Sequence, residues 1–304
     1  MPDEKAKPNP VFDRLRGDAP AGEGRAEYLN MRDGSRIFLE SWEPPGITPK
    51  RIVVCFHGAG GQGQFFALFA DRLAPRGAAV FVADYRGHGL SGGPMGDFAS
   101  FQTLLDDCHE VVEHARMRFP GLPVFILGES MGGAMAVNYT AQHPDIVHAL
   151  ILFSPALRFT KSAIPFAELL KLPYYLLVAL LAPEKAVIPI TGQENRGIKN
   201  PIHVEFDRTD PQHLKFISPR YFLQLNKCMG IAFNDCPQKI HAPTILFQGG
   251  QDPAISPGGA RQFIANLAAN DKELVFYPKG FHSLITDPDA AGAGDKLVAW
   301  VEKH

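Results

Sequence analysis

Four short apolar runs, RIVVCF at 51–56, AAVFVADY at 78–85, PVFIL at 123–127 and HALILFSP at 148–155, are separated by segments of helical character, one of them near 98–119. Apolar runs of this length suit strands covered on both faces. Strands that alternate with helices build a mostly parallel sheet, because parallel neighbours need a crossover between them. The pattern therefore predicts an α/β fold. Two strand-like segments, RAEYLNM and SRIFLESW, joined by a turn at Asp33 and Gly34, precede the first run. Two more, PTILFQGG at 243–250 and ELVFYPKGFHS at 273–283, follow much later.

Between PVFIL and the small-residue helical stretch GGAMAVNYTAQH lies GESMG, residues 128–132. A serine at a sharp turn from strand to helix is a nucleophile elbow. The turn lifts the Ser130 hydroxyl clear of its neighbours and aims the first helical N–H groups where negative charge would develop. Gly128 and Gly132 flank it because a side chain at either position would collide with the elements packed against the turn. Serine is a poor nucleophile at neutral pH and needs a histidine base oriented by a carboxylate. Asp252, in QDPAIS after PTILFQGG, and His282, in the loop that ends ELVFYPKGFHS, supply both in the order serine, acid, histidine. In open parallel sheets such groups gather outside the carboxyl ends of the strands. Asp235 and Glu273 lie before a strand or at its start, which is the wrong edge. Taken singly, Asp252 reads equally well as a turn cap before proline and His282 as a surface residue. Their shared edge and their order favour the joint reading.

Five blocks occur in order: CFHGAGG at 55–61, DYRGHGLSGG at 84–93, GESMGGAMA at 128–136, QGGQDPAIS at 248–256 and GFHSL at 280–284. Through them the chain, over about residues 25–303, resembles the monoglyceride lipase and lysophospholipase branch of the α/β hydrolases, sometimes grouped with the serine aminopeptidase type. The resemblance implies an α/β-hydrolase fold, a mostly parallel central sheet flanked by helices with a helical cap insertion. It implies acyl transfer to water by catalytic Ser130, Asp252 and His282, with an oxyanion hole made by the backbone N–H groups of Ala59 and Met131. His57 and His88 become structural loop residues. The implied substrate is a small-molecule ester with an apolar acyl chain, a monoacylglycerol first, with a lysophospholipid or a short-chain carboxylester as alternatives. A binding protein built on the same fold is a reading from a different class, but such proteins typically lose a triad member and this chain keeps all three. A peptidase is less supported, since no carboxylate cluster for a free amino terminus is visible in the cap. The chain departs from the family pattern where Gly249, Gly250 and Gln251 precede Asp252, a difference of loop detail.

A competing motif overlaps the first block. Gly58, Gly60 and Gly63 spell GxGxxG between RIVVCF and the helical QFFALFADRL, and Asp84 ends the next strand. This is the spacing of a dinucleotide site and would make the chain an oxidoreductase. Two strand-like segments ahead of the supposed first strand speak against it, and it leaves Ser130, Asp252 and His282 unexplained. A loop whose backbone closely approaches a substrate needs the same glycines. No cofactor is expected. HEVVEH at 109–114 misses the zinc spacing by one residue, which turns His114 away from His109 around the helix, so both are expected on a solvated surface without metal.

The organisation expected is a loose, flexible arm over 1–24, polar and rich in proline and glycine, a core over 25–155 and 241–304, and a helical cap or lid over 156–240 inserted between two core strands. The arm lacks the apolar stretch of a signal peptide, which makes the cytoplasm the default location. A formal charge of −2 over 304 residues, with no basic patch, gives no electrostatic case for nucleic acid. Cys228 and Cys236 are the only cysteines placed to pair, and the sequence leaves that open. Within the cap, AIPFAELLKLPYYLLVALLAP at 163–183 is too short and too interrupted to span a bilayer. Two readings of it stay open: a helix packed on the core, or an apolar lip that touches membrane or micelle surfaces transiently or lines an acyl tunnel.

Overall fold

The apolar runs form the middle of an eight-stranded sheet in the computed structural model, which describes residues 10–17, 24–161, 163–164, 166–190 and 197–304. The strands are β1 (Arg25–Asn30), β2 (Arg36–Trp42), β3 (Arg51–Phe56), β4 (Ala78–Ala83), β5 (Val124–Glu129) and β6 (Val147–Phe153). A two-residue antiparallel pair, β7 (Ile188–Pro189) and β8 (Phe216–Ile217), comes before β9 (Thr244–Gly249) and β10 (Lys272–Tyr277). The sheet order is β1-β2-β4-β3-β5-β6-β9-β10. The β1/β2 and β2/β4 pairs are antiparallel and all other pairs in this sheet are parallel.

The helices are α1 (Pro10–Arg16), α2 (Ala67–Leu73), α3 (Phe101–Arg118), α4 (Met131–Gln142), α5 (Phe166–Leu169), α6 (Leu172–Leu181), α7 (Pro201–Thr209), α8 (Pro219–Asn234), α9 (Pro257–Asn266) and α10 (Ala293–Lys303). Alternate residues of each central strand point to opposite layers. Ile52, Val54 and Phe56 pack with α3, α4, α8 and α9, whereas Val53 and Cys55 pack with α2 and α10. Burial on both faces is why these strands carry no polar alternation.

Between β6 and β9 the chain leaves the sheet. Its last helix there, α8, returns to the core. Ser218 caps α8 by accepting from the Tyr221 N–H, and Arg220 forms an ion pair with buried Asp97. Leu225, Cys228, Met229 and Ala232 are buried within the core layer that also contains α3 and α4. By contrast α5 and α6 bury no residue, and Leu180 is 79% exposed. Among the described residues no helix is long and apolar enough to cross a membrane.

Two local expectations change, and the question left open at Cys228 and Cys236 is answered. Pro10–Arg16, read as part of a loose arm, is a helix: Val11, Phe12 and Leu15 make an apolar stripe that polar composition hides. Phe12 is buried with its ring 5.1 Å from that of Phe206 on α7, and Arg16 makes two 2.6 Å bonds to Asp71 of α2. Residues 1–9 and 18–23 of that arm lie outside the described residues. His109 and His114 are half-buried rather than solvated. His109 bonds to the Tyr139 hydroxyl and stacks on His143, and His114 faces Glu27 at 3.5 Å. Cys228 and Cys236 are both free and buried, beside Met135 and Asn138 respectively.

Candidate active site

β5 ends at Glu129 and α4 begins at Met131, so Ser130 alone turns the chain. Its φ of 54° and ψ of −120° are unfavourable for a residue with a side chain. Tertiary hydrogen bonds hold it there: its N–H donates to the Phe153 carbonyl at 3.0 Å, and its carbonyl accepts from the Ala156 N–H at 2.8 Å. The flanking glycines are required by contact. A Cβ on Gly128 would lie 2.3 Å from the Gly132 carbonyl oxygen, and one on Gly132 would lie 1.9 Å from that of Phe56.

Asp252 and His282 come together from the loops after β9 and β10. Asp252 Oδ1 accepts from the N–H groups of Ala254 and Ile255, each at 2.9 Å, which fixes the carboxylate. Its Oδ2 faces His282 Nδ1 at 2.7 Å. The extra glycines of this loop have a reason: a Cβ on Gly249 would lie 2.0 Å from the Phe281 carbonyl oxygen, so the acid loop and the histidine loop touch only because position 249 is bare. The Ser154 hydroxyl donates to the His282 carbonyl at 2.6 Å, and the His282 N–H donates to the Gly197 carbonyl at 2.9 Å. Burial pushes the His282 imidazole down, but the Asp252 carboxylate, with help from Glu129, outweighs it and leaves the pKa above 6.5.

The loop after β3 runs beside the elbow, and a Cβ on Gly58 would lie 3.2 Å from that of Ser130. His57 organises this loop. Its Nδ1 donates to the Gly58 carbonyl at 2.8 Å and its Nε2 accepts from the Tyr85 N–H at 3.0 Å. Burial, and His88 nearby, push its pKa well below 6.5, so it is neutral with both nitrogens occupied. His88 is buried against the Tyr221 hydroxyl at 3.0 Å. The competing dinucleotide motif fails on geometry. Asp84 points inward, accepting from the N–H groups of Gly63 at 2.6 Å and Leu90 at 2.8 Å. In addition β5 pairs with β3, whereas the dinucleotide-binding order would extend the sheet beyond β4. Among the described residues no three His, Cys, Asp or Glu side chains gather as metal ligands.

Ser130 lies on a wall shared by two cavities. One, of about 250 Å³, is the more polar of the two: Gln62, Glu129, His203, Asp207, Asp210 and His282 line it together with apolar Phe65, Phe66, Ile198 and Phe206. The other, of about 370 Å³, is lined by apolar groups including Phe159, Leu172, Leu176, Ile190 and Phe222. Ala59, Ala163, Ile190 and Ala254 line both cavities, as does Ser130. The polar wall is cross-linked: Gln62 donates to Asp210 at 3.0 Å, and His203 faces Asp207 at 3.5 Å. Apart from His282, sequence reasoning missed these groups. His203 and Asp207 are four apart on one face of α7, a signal that was available, and Glu129 sits inside the elbow motif itself.

A mostly parallel sheet with Ser130 at a strand–helix elbow, and an acid–histidine pair after two later strands, defines an α/β hydrolase by fold. A family model described as serine aminopeptidase, S33, matches residues 47–289. The human monoglyceride lipase is 30% identical over 84% of this chain and 83% of its own length. The monoacylglycerol lipase of Mycolicibacterium smegmatis is 26% identical over 89% of this chain and 94% of its own. The crystal structure of a soluble variant of monoglyceride lipase from Saccharomyces cerevisiae in complex with a substrate analog superposes with a TM-score of 0.79 at 22% identity, covering 95% of this chain and 97% of that one. The chain belongs to the serine aminopeptidase S33 family of α/β hydrolases.

Proposed function

We propose that the protein is a serine ester hydrolase that cleaves carboxylic esters joining an apolar acyl chain to a polar alcohol, monoacylglycerols first, through an acyl-enzyme. His282 takes the Ser130 proton, Ser130 attacks the ester carbonyl, and Asp252 orients the imidazole and stabilises its positive form. The backbone N–H groups of Met131 and Ala59 receive the charge that forms on the carbonyl oxygen. Collapse sends the proton from His282 to the departing alcohol, and water then repeats the path to release the acid. The observation that carries this reading is Ser130 on the common wall of two cavities, one furnished with carboxylates, histidines and an amide and the other almost wholly apolar. An ester with one apolar and one polar half fits both at once, with its scissile bond at the hydroxyl. The monoglyceride lipases among its relatives support the same substrate class.

The outer face of the cap supports a site of action at lipid surfaces. Phe166, Leu170, Leu180 and Leu181 are each about 70% exposed or more, while Leu172, Tyr175, Leu176 and Ala179 of the same segment line the apolar cavity. A cytoplasmic enzyme in transient contact with membranes or micelles belongs to this reading.

Fluorophosphonate labelling of Ser130, with a chain-length series of p-nitrophenyl esters, tests it. Activity should rise with acyl length and extend to monoacylglycerol, with a lysophospholipid as comparison. Preference for acetate would sink the apolar-acyl assignment. The elbow gives a second expected result. Gly132→Ala puts a methyl group against the Phe56 carbonyl, so α4 must shift away from β3 and carry Ser130 with it. A displacement of about 1 Å should lower kcat/KM on the order of 100-fold, with a native circular dichroism spectrum showing that the loss is local.

A further inference from the structure

Glu129 is the last residue of β5 and the immediate neighbour of Ser130. Its side chain is buried, 7% exposed, and lines the polar cavity but not the apolar one. Its Oε1 is enclosed and has no hydrogen-bond partner. An enclosed carboxyl oxygen without a donor is uncommon in a folded protein and destabilising when left so. Among the described residues that line this cavity, three side-chain donors are committed elsewhere: His282 Nδ1 to Asp252, His57 Nδ1 to the Gly58 carbonyl, and Gln62 Nε2 to Asp210. A hydroxyl in the cavity that Glu129 lines can supply a donor to this carboxyl.

We propose that Glu129 is a specificity-determining residue that accepts a hydrogen bond from a free hydroxyl on the leaving alcohol. This rests on the ester-hydrolase reading above. The alcohol half of the substrate occupies the polar cavity, one residue from the serine that receives the acyl group, so a contact there orients the leaving oxygen. Burial raises the Glu129 carboxyl to about 7, with the nearby His282 charge acting in the opposite direction. A hydroxyl both donates and accepts, so it satisfies the carboxyl in either protonation form.

The experiment compares kcat/KM for monooleoylglycerol and methyl oleate, which share an acyl chain but differ in free hydroxyls, in the same detergent micelles. The readout is the ratio of the two, which does not depend on how much of a variant folds. Wild type should favour the glycerol ester. Glu129→Leu should reduce that preference by about 10-fold or more, and Glu129→Gln, which keeps an acceptor oxygen in place, should retain most of it. If both esters are cleaved and Glu129→Leu leaves the ratio unchanged, Glu129 does not read the alcohol and the proposal falls alone. If wild-type protein cleaves neither ester, the ester-hydrolase reading falls and takes the proposal with it.

Discussion

Replacing Ser130 with alanine should lower turnover of a p-nitrophenyl ester by roughly 10⁴- to 10⁶-fold and abolish fluorophosphonate labelling. The fold should survive, because the contacts that hold the elbow are backbone hydrogen bonds to Phe153 and Ala156 and close glycine packing, none of which uses the serine hydroxyl. Alanine keeps the same Cβ in the same strained conformation, so the melting temperature should move by no more than about 2 °C. A large loss of activity with an unchanged melt isolates the hydroxyl as the group that reacts. Retained labelling would mean that another nucleophile does the chemistry.

Asp252→Asn should cost about 10⁴-fold in kcat, and the reason lies in the fixed acceptors around it. The side-chain oxygen that faces the Ala254 and Ile255 N–H groups can only be an acceptor, so an asparagine must turn its NH₂ toward His282 Nδ1. Nδ1 then has to accept, and the imidazole proton moves to Nε2, where it blocks removal of the serine proton. The pH profile supplies an independent check. His282 must be neutral to act as base, so the wild-type rate falls as pH drops through a pKa that Asp252 and Glu129 hold above 6.5. Loss of the Asp252 charge stabilises the imidazolium less. The acidic limb of the residual activity should therefore shift to lower pH. A limb that stays in place would show that the carboxylate does not govern this histidine.

Several features were legible because they are local. The runs RIVVCF, PVFIL and PTILFQGG appear as β3, β5 and β9, since a strand covered on both faces leaves an uninterrupted apolar run. The hairpin at Asp33 and the GESMG turn were equally readable, because turn chemistry depends on a few adjacent residues. Alpha1 was not read, because a two-turn stripe of Val11, Phe12 and Leu15 has meaning only against Phe206, far along the chain. The half-burial of His109 and His114 was missed for the same reason, since Tyr139 and Glu27 approach from other elements.

The sequence by itself determined the α/β alternation, the elbow at Ser130 and the order of Asp252 and His282, because strand periodicity, glycine-flanked turns and motif order are carried by neighbouring residues. Only the tertiary structure decided what surrounds the serine. Gln62 meets Asp210 across a separation of 148 residues to build the polar cavity, and α6 lines the apolar one while its outer face stays exposed. The unpartnered Oε1 of Glu129 is also a property of the fold, since satisfaction of a buried carboxyl depends on side chains that other elements bring beside it.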